Sequence, residues 1–399
     1  MNVTERFLKY VSFDTQSDEN SETCPSTEKQ KLLGAFLVED MKAIGIADAH
    51  MDENGYVYGS VPGTVEGPVI GLIAHMDTSP DCSGKDIRPR IVEYSGGDLV
   101  LNEAQNIVMK VRDYPSLERN VGKHLIVTDG TTLLGADDKA GVAEILTAAE
   151  ELLAEGGPRV PLRIGFTPDE EVGRGADRFD VKGFGADFAY TADGGTLGEL
   201  EYENFNAAAA TVVLHGVSIH PGSAKGKMIN AMQLAVDFHN MLPAQERPEH
   251  TEGYEGFSML HGMEGDVESA TLRYIIRDHD RMKFEQKKDR FQRIAAYLNE
   301  QFGEGSVTLT IKDSYYNMKE KILPVMHVVE RAKAAMTAAG MDPVTVPIRG
   351  GTDGARLSFE GLPCPNLCTG GENYHGRYEY IPVEDMERCV EMLKHIARP

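Results

Sequence analysis

Val69-Ile70-Gly71-Leu72-Ile73-Ala74 is an unbroken apolar run that ends at His75. A strand with one wet face alternates apolar and polar residues. A run without alternation suits a strand buried on both faces, as in the middle of a parallel sheet. Two more segments read as strands: Leu162-Arg163-Ile164-Gly165-Phe166-Thr167, which ends at Pro168-Asp169-Glu170-Glu171, and Phe188-Ala189-Tyr190-Thr191-Ala192, which ends at Asp193. Between the first two, Val142, Ile145, Leu146, Ala149, Leu152 and Leu153 recur at helical spacing and predict a helix from about Asp138 to Glu155. Asp138 is placed to cap its start, and Gly156-Gly157-Pro158 to stop it. Strands alternating with helices predict an α/β domain on a mostly parallel sheet.

Near Asn206 the texture changes. A strand over Asn206 to Leu214 precedes a helix over Met228 to Leu242. Short strands follow over Phe257 to Met263 and Ser269 to Arg277, then a helix over Arg281 to Phe302 and a strand over Ser306 to Lys312. This β-α-β-β-α-β order is the ferredoxin-like split unit. After about Tyr315 the α/β texture returns, with helices near Pro324 to Ala339 and Val383 to Ile396. The expected organisation is an α/β domain over 1–205 and 316–399, interrupted by a smaller α+β domain over 206–315.

The 399 residues include 40 basic and 63 acidic side chains, a net charge of −23. So acidic a surface repels phosphates and argues against nucleic-acid or anionic-membrane partners, while leaving metals and cationic groups welcome. The five cysteines, of which only Cys364 and Cys368 sit close together, read as reduced thiols. No secretory signal follows Met1, and no apolar run approaches the roughly 20 residues that span a bilayer. A cytoplasmic, multi-domain chain without a membrane anchor is expected.

Ligands of open α/β sheets bind outside the carboxyl ends of the strands. Three such ends carry His75 with Asp77, Glu170 with Glu171, and Asp193. Asp137 stands just before the long helix, and His375 lies in a loop near the C-terminus. Any one of these alone reads as a surface or capping residue. Together, imidazoles and carboxylates without thiolates suit Zn²⁺ or a similar divalent ion, and two such ions can share a bridging carboxylate. The glycine-rich turns lack the Gly-x-x-x-x-Gly-Lys-Ser/Thr pattern of a phosphate loop.

The segments His75-Met76-Asp77-Thr78, Gly135-Ala136-Asp137-Asp138-Lys139-Ala140-Gly141, Thr167-Pro168-Asp169-Glu170-Glu171-Val172-Gly173, Thr191-Ala192-Asp193-Gly194-Gly195 and Asn373-Tyr374-His375-Gly376 resemble the co-catalytic two-zinc aminopeptidase and carboxypeptidase family. Gly198 to Ala207 and the segment Ser218 to Gly226 resemble its tripeptide aminopeptidases in particular. The resemblance runs from Glu5 to near the C-terminus and is weakest over 81–128.

It implies two Zn²⁺ per chain, other divalent metals remaining open. His75 and Asp193 would hold one ion, and Glu171 and His375 the other, with Asp137 bridging. Glu170 would be the general acid/base, and Asp77 would orient His75. Asp138 reads simply as a helix cap. The inserted domain would act as a lid, with His220 as an oxyanion donor, Arg277 and Arg349 as candidates for the substrate carboxylate, and Asn230 as a further substrate contact. The expected activity is removal of the N-terminal residue from tripeptides. The alternatives are a related amidohydrolase acting on dipeptides or N-acyl amino acids, or a non-catalytic peptide-binding protein. Family members often dimerise through this lid, which leaves a homodimer open.

Overall fold

The strand Ile70–His75 is buried along its whole length and lies inside an eight-stranded sheet. The structure, a computed structural model, describes residues 1–399. It divides into two units: Met1–Tyr202 with Met318–Val346 and Thr352–Pro399, and Glu203–Asn317 with Pro347–Gly351.

In the larger unit the sheet runs His50–Met51, Val57–Val61, Leu162–Thr167, Ile70–His75, Phe188–Gly194, Asn366–Cys368, Glu199–Glu201, Val344–Thr345. The three central pairings are parallel, as the unbroken apolar runs predict. The pairings flanking them are antiparallel, and the outermost pair, Glu199–Glu201 with Val344–Thr345, is parallel. His75 stands opposite Thr167 in the register, so both strands end at one edge. One face is covered by the helix Ala136–Glu155, with Val3–Tyr10 and Val383–Ala397 packed on it. On the other side Tyr56, Phe179, Phe184 and Leu357 pack around Ile73 and Ala189. Each fully buried apolar side chain of this kind stabilises the fold by about 1.5–3 kcal/mol.

Two details at the strand ends differ from expectation. The third strand continues to Gly194, because Leu367 and Cys368 pair with Ala192 and Gly194 across a register shift. Asp193 is therefore in the strand rather than after it. The long helix is assigned from Ala136, yet Asp137 (φ −82°, ψ 104°) and Asp138 (φ −122°, ψ 32°) are not helical. The regular helix starts after Asp138, whose Oδ1 accepts from the Gly141 N–H at 3.2 Å. A Cβ on Gly141 would lie 1.9 Å from the Ala192 carbonyl oxygen, so only glycine lets this helix approach the strand that carries Asp193.

The segment after His75 builds a satellite β structure. Arg90–Glu93 and Tyr380–Pro382 flank His124–Val127 antiparallel, and Leu99–Asn102 pairs with Ile107–Met109, over a core of Leu101, Met109, Leu117, Leu125 and Tyr380.

The smaller unit has the predicted split topology. Its antiparallel sheet runs Phe257–Gly265, Ser269–Asp278, Asn206–His215, Val307–Tyr315. Alternate residues such as Val212, Leu214, Leu272 and Ile276 share one core with Leu234 and Phe238 of the helix Ala231–Asn240, and with Phe284, Phe291 and Leu298 of Arg281–Phe302. The first of these helices starts later than its apolar pattern predicts: Ile229 bridges Val217 in extended backbone, and Asn230 then caps the helix. In the larger unit the helix expected from Pro324 begins at His327, since Pro324 sits in the short turn Leu323–Val325. No helix is long and apolar enough to cross a membrane.

Candidate metal centre

Parallel strand ends, one helix start and the loop bearing His375 bring seven side chains together, all within the larger unit. His75 ends its strand, buried, with Nε2 2.8 Å from Asp137 Oδ1 and 3.4 Å from Asp193 Oδ1. His375 Nε2 lies 3.1 Å from Asp137 Oδ2 and 3.0 Å from Glu171 Oε2. The two oxygens of Asp137 thus face different imidazoles. Two triads, His75–Asp137–Glu171 and His75–Glu170–Asp193, each place three donor atoms within 4.8 Å of one another.

Asp77 is buried and has two sets of partners. Its Oδ1 lies 3.3 Å from His75 Nδ1. Its carboxylate also accepts the N–H groups of Glu170 at 3.0 Å and Glu171 at 3.2 Å. His75 Nδ1 also meets the Asp77 backbone carbonyl at 3.1 Å, so the imidazole and the turn bearing both glutamates are held by this one residue. Asp169 braces that turn from outside, accepting from Ser26 N at 2.7 Å, Ser26 Oγ at 2.5 Å and Gln30 Nε2 at 2.7 Å.

The electrostatics are those of anions crowded out of water. Burial and the Asp193 charge raise the Glu170 pKa well above the carboxylate range. Burial and the Asp137 charge push Glu171 up to about 8, against the opposing bond from His375. Burial lifts Asp193 to about 6, partly opposed by His75. Burial would raise Asp137 too, but its two imidazole partners hold it below the usual range. His375 is raised to about 11 by its bonds to Asp137 and Glu171. Burial disfavours a charged His75, yet Asp193, Asp137 and Asp77 outweigh it and raise its pKa. Protons shared between imidazoles and carboxylates compensate this charge, and a divalent cation compensates it equally well through the same lone pairs. Glu171 Oε1 is buried without a hydrogen-bond partner, as a donor directed at a cation would be. Imidazole nitrogen with carboxylate oxygen is a donor set that suits zinc. The residues fit a metal.

Some of the local roles were not legible in the sequence. Asp138 caps its helix as expected, but it is buried, and its Oδ2 also accepts the His75 N–H at 3.0 Å. Asp353 accepts from Thr167 Oγ1 at 2.8 Å, and burial pushes it up to about 7. Glu379, four residues after His375, accepts the N–H of Asp137 at 3.0 Å; the His-x-x-x-Glu spacing was its only sequence signal.

His220, Asn230, Arg277 and Arg349 belong to the smaller unit. His220 is exposed, and its Nδ1 accepts from the Gly222 N–H at 3.1 Å. Asn230 accepts from Met232 N at 3.0 Å and Gln233 N at 3.4 Å as a helix cap. Arg277 lies over the Tyr315 ring and donates Nη1 to the Ile276 carbonyl at 3.1 Å. Arg349 stacks near Phe205 and Phe257 and donates to the carbonyls of Gly253 at 2.7 Å, Glu255 at 3.0 Å and Thr251 at 3.4 Å.

Residues 129–398 match the model of peptidase family M20/M25/M40. Peptidase T of Alkaliphilus oremlandii is 56% identical over 403 aligned residues, covering 99% of this chain and 98% of that protein. Among crystal structures, the aminopeptidase PepT of Bacillus cereus superposes with a TM-score of 0.78 at 24% identity, covering 99% of this chain and 97% of the other. A tripeptidase from Staphylococcus aureus gives 0.79 at 22%, covering 100% and 97%. The chain belongs to the M20/M25/M40 peptidase family and, within it, to the peptidase T group.

Proposed function

We propose that the chain is a metallo-aminopeptidase that removes the N-terminal residue from tripeptides, with two divalent ions, zinc by donor chemistry, and Glu170 as general base. One observation carries this reading: a single carboxylate, Asp137, offers one oxygen to the His75 side of the cluster and the other to the His375 side. His75 and Asp193 would hold one ion, and His375 and Glu171 the other. When bound, such ions polarise the scissile carbonyl and lower the pKa of a water between them.

The chain's own residues do the rest. Asp77 fixes the His75 ring and, through two backbone N–H groups, the aim of Glu170. Glu170 Oε takes a proton from the attacking water as its oxygen bonds to the carbonyl carbon. It returns that proton to the amide nitrogen as the C–N bond breaks. A raised pKa suits a group that must both take and give a proton near neutrality. In neutral His220, acceptance at Nδ1 leaves the proton on Nε2, a donor suited to the developing oxyanion.

A peptidase that selects tripeptides must sense the far carboxylate. Two residues beyond the scissile bond extend roughly 7 Å, so a cation at that distance favours three residues over two or four. Arg349 commits both Nη1 and Nη2 to carbonyls, while Arg277 commits Nη1 to those of Ala208 and Ile276, so Arg277 gives up fewer carbonyl bonds to serve as the ruler. Hydrolysis of one di-, tri- and tetrapeptide series by metal-stripped and zinc-reloaded protein tests the proposal. Zinc-dependent cleavage with the tripeptide far ahead is expected, and preferential cleavage of the dipeptide would overturn the length rule.

A further inference from the structure

Glu379 is buried, and its carboxylate accepts three backbone N–H groups of one turn: Leu134 at 2.6 Å and Gly135 at 2.8 Å on Oε2, and Asp137 at 3.0 Å on Oε1. Charge-assisted bonds from three donors of one turn are among the stronger ties a side chain makes to backbone. The turn needs such a tie, since Gly135 has a left-handed φ of 79° and Asp137 and Asp138 are not helical.

Glu379 also stands at the base of the loop that bears His375. Glu372 bridges Tyr380 across that base, and the Glu379 N–H donates to the Gly376 carbonyl at 3.2 Å. One carboxylate therefore joins the segment carrying Asp137 to the segment carrying His375, two residues 238 positions apart in sequence.

We propose that Glu379 is a positioning residue: it fixes the Asp137 carboxylate relative to the His375 imidazole, and so the geometry in which one carboxylate serves two ions. This rests on the reading of Asp137 as the bridging ligand. A carboxylate is required at this position. Glutamine would turn its NH₂ toward the N–H groups on one side or the other, and aspartate is one methylene too short to reach the same turn.

The test titrates Zn²⁺ into metal-stripped wild type, Glu379→Gln and Asp137→Asn, with near-UV circular dichroism to confirm folding and Co²⁺ absorption to report ligand geometry. Glu379→Gln should bind at least one ion about 10–100-fold more weakly, the usual cost of losing a group that orients a ligand. It should also show an altered Co²⁺ spectrum and a fall in kcat with little change in KM. Wild-type affinity and spectrum in Glu379→Gln, whatever its thermal stability, would overturn the inference. Wild-type binding of both ions by Asp137→Asn would instead overturn the bridging reading on which it rests. Should Glu379→Gln not fold, Glu379→Asp carries the same two outcomes.

Discussion

The two units contrast in how their candidate residues are held. In the larger unit all of the seven except exposed His375 are buried or half-buried, and several are fixed by a neighbour: Asp77 holds His75 and the Glu170–Glu171 turn, Asp169 braces that turn, and Asp138 holds the His75 backbone. In the smaller unit His220 is exposed and bonded only locally to Gly222, and Asn230 serves its own helix. The candidate metal cluster is largely preorganised by burial and backbone bonds. The candidate substrate residues sit on an alternating, partly wet sheet and its turns.

The contrast breaks first at the ligands. His75→Ala or His375→Ala should each lose one ion, and a chelator should abolish hydrolysis by the wild type. Activity in both variants should fall further than the roughly 10²–10⁴-fold expected for loss of a general base alone. Metal analysis with a tripeptide assay checks this, and full metal content in both variants would contradict it.

Glu170→Gln comes next. It should keep both ions while kcat falls by about 10²-fold or more. Metal loss in step with activity would make Glu170 a ligand of the His75–Asp193 triad instead.

Substitutions in the smaller unit should act without touching metal content. His220→Ala should lower kcat by about 10²-fold with KM less affected, as for removal of one oxyanion donor. Arg277→Ala should erase most of the preference for a free tripeptide over its C-terminal amide, about 1.5–3 kcal/mol for a lost charge-assisted bond. Arg349→Ala should keep that preference and loosen the 251–255 turn. Equal kcat/KM for acid and amide in the wild type would end the carboxylate ruler.

The smallest effect lies in the sheet. Burial pushes Glu201 up to about 8 despite its 2.6 Å bond from Asn366. Between 4.5, its ordinary value, and about 8 the folded chain holds a proton that the unfolded chain has released. Stability from this group is thus present at low pH and lost as pH rises through that window. Glu201→Gln, which still accepts from Asn366, should raise Tm relative to wild type at pH 8 and leave it nearly unchanged near pH 4.5. An equal shift at both values would contradict the assignment.

The strands that carry the cluster were legible because burial on both faces leaves an unbroken apolar run, and Ile70–His75 ends where the run does. The helices of the smaller unit were legible from apolar spacing, Arg281–Phe302 at both ends, but the start of the first was not: a bridge between Val217 and Ile229 overrides the pattern at Met228. The β structure after residue 81 has short strands, several partly exposed, and one of them, His124–Val127, pairs with Tyr380–Pro382 from the far end of the chain, so little local signal marks it. The ligand candidates showed themselves as residue types at strand ends. Glu379, Asp353 and the second role of Asp138 did not, because each acts through a contact between segments distant in sequence.

The central claim is that one carboxylate organises two ions. Anomalous diffraction at the zinc edge, from crystals of the zinc-loaded protein, tests it most directly. The account predicts two peaks roughly 3.5–4 Å apart, the spacing of paired metal sites, one on each side of Asp137, with Glu170 outside both coordination spheres. A single peak, or two peaks that do not share Asp137, would contradict it.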